Sequence, residues 1–281
     1  MVGGSGARRA LRYAFRVTAA DPWLAAWIDD LFGGLPAAAP GEPVAEWSVE
    51  RVEDAAPPEW RLVLDGEEHS VTSNPDALVA TIVQRLNQEA VRSWPGAVGH
   101  AGCVSRDGVA IVMPADPESG KTTLTCGLVR AGFAYVTDEG VAFEPGTARI
   151  EPYSKPLSLD RGSWFLFPEL EPVDDPRAAE FERSQWQVPP AAIRPDAVGG
   201  RCDARFLVFP KYVEGATTEL SPMTRAEALV DLAKNTFHFN QHSRESLEQL
   251  EVVVRACDCY RLTVGTLDDA VACIEELVSG A

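Results

Sequence analysis

Basic side chains are scarce in this chain. It carries 25 Lys and Arg against 42 Asp and Glu, a formal charge of −17. Binding to a phosphate backbone needs clustered cations, so a nucleic-acid partner is not expected. An anionic membrane surface is disfavoured for the same reason. An anionic small ligand stays open, given a locally positive pocket against the global field. Long apolar runs are missing too. No stretch of about 18 apolar residues occurs, as a spanning helix requires. The N-terminal residues hold the basic pair Arg8-Arg9 but no apolar run of the kind a secretory signal carries. Cysteine is limited to Cys103, Cys126, Cys202, Cys257, Cys259 and Cys273, scattered along the chain. The Cys257-x-Cys259 pair has no second pair at zinc-ligand spacing. These residues read as buried, reduced thiols, and the expected compartment is the cytoplasm.

What is present is an ordinary globular composition: 281 residues, 46% hydrophobic. That suits one large domain or two smaller ones. Residues 11–17 read as a strand and residues 22–32 as a short helix. Residues 35–58, rich in Pro, Ala and Glu, read as a long loop or insertion. Asp65-Gly66 between two alternating runs marks a hairpin. Asn74-Pro75 then opens a helix whose apolar face, Leu78, Ile82 and Leu86 among others, runs to about Ser93. Further on, Val109–Met113 is an unbroken apolar run, as in a buried strand. Lys121–Ala131 reads as a helix stopped by Gly132, and Phe133–Val136 as the next strand. Residues 168–200 read as a loop or surface excursion. Arg205–Phe209 and Cys259–Val264 are strands, and capping boxes at Thr224 and Thr266 open two late helices. The order implies a mixed α/β fold. We divide it into an N-terminal α+β region, residues 1–95, and a second domain, residues 96–281.

The segment that carries chemistry is ADPESGKT, Ala115–Thr122. A buried strand precedes it and a helix follows, the setting a phosphate-binding loop requires. There, successive backbone N–H groups and the positive end of the helix face an anion. Lys121 is placed to reach β- and γ-phosphates, and the Thr122 hydroxyl to coordinate Mg²⁺. The alternative is a structural turn with a surface lysine. The first glycine of G-x-x-x-x-G-K-[ST] is replaced by Ala115. The strand after the helix ends in Thr137-Asp138-Glu139, 17 residues beyond Lys121. Acids there can bind the metal or take a proton from an attacking hydroxyl. The other reading is a solvated turn. His100 lies 21 residues before Lys121.

Together these residues resemble the HPr kinase/phosphorylase superfamily, whose nucleotide core is shared with phosphoenolpyruvate carboxykinase. LVRAGFAYVTDEGVAF is similar to that family's helix–strand–acid unit. The segments Glu151–Trp164, Arg205–Tyr212 and Cys259–Val271 look like kinase-related proteins of bacterial peptide-modification gene clusters. The resemblance covers roughly residues 95–280 and departs from the family at Ala101, Ala115, Glu118 and Glu139. It implies a P-loop kinase core with an N-terminal extension, using ATP and Mg²⁺. Asp116, Pro117, Glu118, Ser119, Gly120, Lys121, Thr122 and Thr123 would form the nucleotide loop. Thr122, Asp138 and Glu139 would be the metal contacts. Asp138 would be base or metal ligand, with Lys121 and His100 completing the catalytic set and His100 beside Asp138. Lys155 and Lys211 are candidates for charge at the phosphate or the acceptor, against a reading as solvated surface lysines. The expected activity is transfer of a phosphoryl group to a hydroxyl, on a peptide Ser or Thr or on a small alcohol. A homo-oligomer is allowed, since hexamers occur among HPr kinase relatives. The alternatives are a nucleotide-binding scaffold that has lost turnover and a nucleotide hydrolase. A decayed kinase would be expected to lose Lys121 or Asp138, and both are present. A hydrolase needs a water-positioning residue and switch loops, which we do not find.

Overall fold

The computed structural model describes residues 3–4, 6–52, 54–116, 119–172, 183–241 and 243–280. The elements begin with β1 (Gly3–Gly4), β2 (Arg8–Ala10), β3 (Tyr13–Ala19), α1 (Pro22–Leu31), β4 (Ala45–Arg51), β5 (Trp60–Leu64), β6 (Glu67–Thr72) and α2 (Pro75–Ser93). They continue with β7 (Val98–Arg106), β8 (Val109–Pro114), α3 (Lys121–Arg130), β9 (Ala134–Thr137), β10 (Gly140–Phe143) and β11 (Arg149–Glu151). Next come β12 (Leu157–Asp160), β13 (Gln185–Val188) and α4 (Pro190–Ile193). The last are β14 (Cys202–Tyr212), β15 (Glu219–Pro222), α5 (Arg225–Lys234), α6 (Ser243–Ala256), β16 (Asp258–Val264) and α7 (Leu267–Ser279). No helix among the described residues is long and apolar enough to cross a membrane.

Two compact units emerge. One comprises residues 1–93 and 155–192, the other residues 94–154 and 193–281. The first break between them lies between Ser93 and Trp94. The excursion 155–192, however, groups with the N-terminal residues rather than with the domain that flanks it in sequence. The reason is local. β12 and β13 pair with each other, and the Ser184 N–H donates to buried Asp76 Oδ2 of α2 at 3.3 Å.

The first unit holds the sheet β1-β3-β4-β5-β6, with β2 also on β3. β3 and β4 run parallel and are linked through α1, since a parallel pair needs a crossover. β4 lies within residues 35–58, which we expected to be a loop. Its alternation decides the matter: Trp47 and Val49 are buried while Glu46 and Glu50 are exposed. The hairpin forms as expected, with Asp65 and Gly66 at φ 50 and 88, as a two-residue turn demands. Asn74 Oδ1 accepts from the N–H of Asp76 at 2.9 Å and caps α2. β13 corrects the other expected loop, residues 168–200; residues 173–182 of that stretch lie outside the described residues.

The second unit is an eight-stranded sheet in the order β11-β10-β7-β8-β14-β16-β15, with β9 on β7. β11 also pairs with β14, so five strands form a closed ring, β11-β10-β7-β8-β14. β8, β14 and β16 are mutually parallel, so their carboxyl ends share one edge. Buried Cys103, Val112 and Leu207 pack with Leu232 of α5 and Val253 of α6. Each fully buried aliphatic side chain contributes about 1.5–3 kcal/mol. α3 packs closely on α7: a Cβ at Gly127 would sit 2.8 Å from Leu267 Cδ1. All six cysteines are thiols, five of them buried and Cys273 half-buried.

Candidate active site

β7 is the scaffold of the site. On one side Ala101–Arg106 pairs with β8. On the other, His100 pairs with Gly140 of β10, and Cys103 with Thr137 of β9. The β9–β10 corner, Thr137-Asp138-Glu139-Gly140, therefore lies across residues 100–103 of β7. Ala101 N–H donates to Glu139 O at 3.1 Å and fastens it there. Thr137 Oγ1 accepts from the N–H groups of Glu139 and Gly140, at 3.3 Å each, and sets the bend. A solvated turn would expose its acid; Asp138 is 1% exposed.

The loop after β8 ends at Gly120, whose φ of 86 and ψ of 11 lie in the left-handed region. Only glycine adopts that conformation without strain. Gly120 is the N-cap of α3 and, having no side chain, supplies no side-chain cap to the helix, whose start is a favourable place for an anion. Ser119 Oγ is buried and has no hydrogen-bond partner among the described residues. Asp116 is exposed, and Thr122 and Thr123 are half-buried. Pro117 and Glu118 lie outside the described residues.

Lys121 is not the loop-facing surface cation that the motif suggests. Its side chain is folded inward and the residue is 7% exposed. The stem lies over Gly102 of β7: a Cβ there would sit 3.3 Å from Lys121 Cγ and would collide with Thr125 Oγ1. Lys121 Nζ reaches His100 Nε2 at 2.9 Å. An ammonium can only donate, so Nε2 accepts and the imidazole proton sits on Nδ1. The same Nε2 is 3.4 Å from Glu139 Oε1. His100 is steadied by Phe237, whose ring meets it edge-on at 5.4 Å, and by its own N–H, which donates to Asn235 O at 2.6 Å.

The expected His100–Asp138 hydrogen bond gives way to another arrangement. His100 faces Lys121 and Glu139, while Asp138 Oδ1 accepts from the Tyr135 hydroxyl at 3.1 Å. Register explains the difference, because Gly140 pairs opposite His100 and brings the neighbouring Glu139 to the ring. Burial, and then the adjacent Asp138, hold the Tyr135 phenol well above its ordinary range. Burial, then Glu139 and Asp138, do the same for Tyr153. Both phenols therefore stay protonated at neutral pH.

Lys211 is exposed near the carboxyl end of β14, paired in register with Thr263. The next residue, Tyr212, has its Cβ 3.8 Å from where a Cβ on Gly120 would lie, so this strand end borders the loop. Tyr212 is 56% exposed. Lys155 belongs to the first unit. Its ammonium is buried and donates to Pro156 O at 3.0 Å, so it is no solvated surface charge. Sequence reasoning missed Gly102, Tyr135, Tyr153 and Phe237. The only trace of the first is the run of small residues Ala101-Gly102-Cys103 after His100.

No family model matches the chain, and no curated protein matches it. Among solved structures it is similar to the Hpr(Ser) kinase/phosphatase from Coxiella burnetii. That likeness has a TM-score of 0.35 and 11% identity, over 65% of this chain and 94% of the other.

Proposed function

We propose that the second unit is a magnesium-dependent kinase that transfers a phosphoryl group from a nucleoside triphosphate, ATP in the first instance, to a hydroxyl. The acceptor is a peptide Ser or Thr or a small alcohol. One observation carries the reading: a lysine at a glycine-capped helix start whose ammonium reaches His100, beside an acidic corner that buries Asp138.

The residues fit a triphosphate. Ser119 Oγ is buried without a partner among the described residues, and the Gly120 N-cap of α3 supplies no side-chain cap. Among the described residues no group of three or more His, Cys, Asp or Glu could hold a metal. Mg²⁺ does not need one, since it takes one or two carboxylates together with substrate phosphates. Thr122 with Asp138 or Glu139 would hold it, and when bound it neutralises charge on the phosphate oxygens. Ser119, Gly120, Thr122 and Thr123 cradle the phosphates. Lys121 leaves His100 for them and stabilises the charge of the transferring group. Asp138 accepts the proton of the acceptor hydroxyl. The oxygen–phosphorus bond to the acceptor forms as the bond from the γ-phosphorus to the β–γ bridging oxygen breaks, and the nucleoside diphosphate departs. Lys211 stands at the same edge of the sheet as a further cation for phosphate or acceptor.

Calorimetry with ATP, with and without Mg²⁺, tests the binding half; affinity should require the metal. Asp138→Asn tests the chemistry. The amide keeps an oxygen for Tyr135 but cannot take a proton, so kcat should fall by about 10²–10⁴-fold with ATP affinity changed far less. Binding without turnover on any hydroxyl acceptor would favour the scaffold; no nucleotide binding at millimolar concentration would sink both readings.

A further inference from the structure

Two tyrosines flank the acidic corner. Tyr135 stands on β9, three residues before Asp138, and its hydroxyl donates to Asp138 Oδ1 at 3.1 Å. Tyr153 follows β11, and its backbone N–H donates to Val136 O of β9 at 3.1 Å. Both residues are 0% exposed. The Tyr153 hydroxyl is buried and has no hydrogen-bond partner among the described residues, and burial first, then the charges of Glu139 and Asp138, hold its proton in place. A buried hydroxyl without a partner destabilises a fold, and each such group calls for an explanation. Packing does not supply one, since a phenylalanine ring would fill the same space.

We propose that Tyr135 and Tyr153 are positioning residues of the transfer site, two phenolic donors that orient Asp138 and Glu139. The inference rests on the kinase reading above. Tyr135 acts in the arrangement seen here, fixing Oδ1 of Asp138 so that the carboxylate keeps one orientation toward an incoming hydroxyl. Tyr153 acts when the site is filled. Glu139 Oε1 lies 3.4 Å from the same His100 Nε2 that the Lys121 ammonium reaches. Once Lys121 moves to a phosphate, the corner loses that cation, and the Tyr153 O–H supplies a hydrogen bond to the acids in its place. Neither phenol needs to titrate for this, and neither touches the nucleotide.

Tyr135→Phe and Tyr153→Phe test the pair by steady-state transfer, ATP calorimetry and thermal melts. Tyr135→Phe should lower kcat by about tenfold or more while KM and Kd for ATP stay within about twofold, the split expected of a group that acts on the chemical step. Tyr153→Phe should raise Tm, because it removes an unpartnered hydroxyl, and still lower kcat. Unchanged kcat in both variants, beside an active wild type, overturns the proposal and leaves the kinase reading standing. Loss of kcat matched by weaker ATP binding and a lower Tm shows a structural role and overturns it as well. A wild type that binds ATP but transfers to no hydroxyl brings down the kinase reading, and the inference with it.

Discussion

Lys121 is a cation with a buried stem, and that changes what its removal should do. A motif lysine on an open loop is cut back to alanine without structural cost. Here the aliphatic chain covers Gly102, and only its tip reaches His100. Long charged side chains often cover apolar surface in this way, so truncation removes packing along with charge. Lys121→Ala should therefore lose transfer and also stability, by about 1–3 kcal/mol for a partly unfilled site. Lys121→Met keeps the stem and drops the ammonium. It should lose transfer equally while holding Tm close to wild type. Melting curves of the two variants beside their activities check this; equal Tm in both would mean that the stem packs against nothing that matters. His100 is the residue whose role moves furthest from the sequence reading. Its polar neighbours are Lys121, which α3 brings across Gly102, and Glu139, which pairing between β7 and β10 brings to the ring. Spacing along the chain carries no such register.

At the scale of elements, the legible parts are those that declare themselves locally. The Asp65-Gly66 turn, the Asn74-Pro75 helix start, the Thr224 capping box and the strand–loop–helix from β8 into α3 all form where their residues indicate. The illegible parts depend on partners distant in sequence. β4 sits in a Pro- and Ala-rich stretch that masks its short alternation, and it lies between β3 and β5 in the sheet. β13 is a strand because β12 pairs with it across 24 intervening residues, 161–184. Gly102 belongs to the same class. Nothing near it in sequence requires glycine, but β7 presents it to the first turn of α3, where Lys121 and Thr125 occupy the space a methyl would need. Gly102→Ala should push α3 off β7, cost about 1–3 kcal/mol as overpacking does, and weaken ATP binding by moving the helix start. Denaturant melts with calorimetry on one preparation measure both. A variant as stable and as tight-binding as wild type would mean that the α3–β7 contact yields freely.

For the molecule as a whole, the structure shows where the six thiols sit. Burial pushes Cys257 up to about 12, and burial holds the Cys103 thiol well above its usual range. Cys273 is half-buried, and its thiol is raised by burial and by Glu276 and Asp269. The thiolate is the reactive form. A thiol reagent should therefore modify Cys273 first in the native protein, faster as pH rises toward its elevated pKa, and reach the other cysteines only on unfolding. Mass spectrometry of partly labelled protein shows which residue is taken. Early labelling of Cys103 on β7 or Cys202 on β14 would mean that the ring of strands opens readily. The division into units is the least legible feature, since residues 155–192 leave one unit and return to it with no change of composition at Lys155.

The closed ring β11-β10-β7-β8-β14 bears on the time axis of the site. Strands in a ring have neighbours on both sides, so their amides exchange with deuterium only when several strands separate together. β7, β8 and the corner carrying Asp138 then belong to the slowest-exchanging set, while β15, at the outer end of the sheet, exchanges early. The acid is held by the part of the unit that opens least, and the helix start that carries Lys121 follows a loop outside the ring. Any motion that accompanies a catalytic cycle falls to that loop and to Lys121, with Asp138 as the fixed point against which they move.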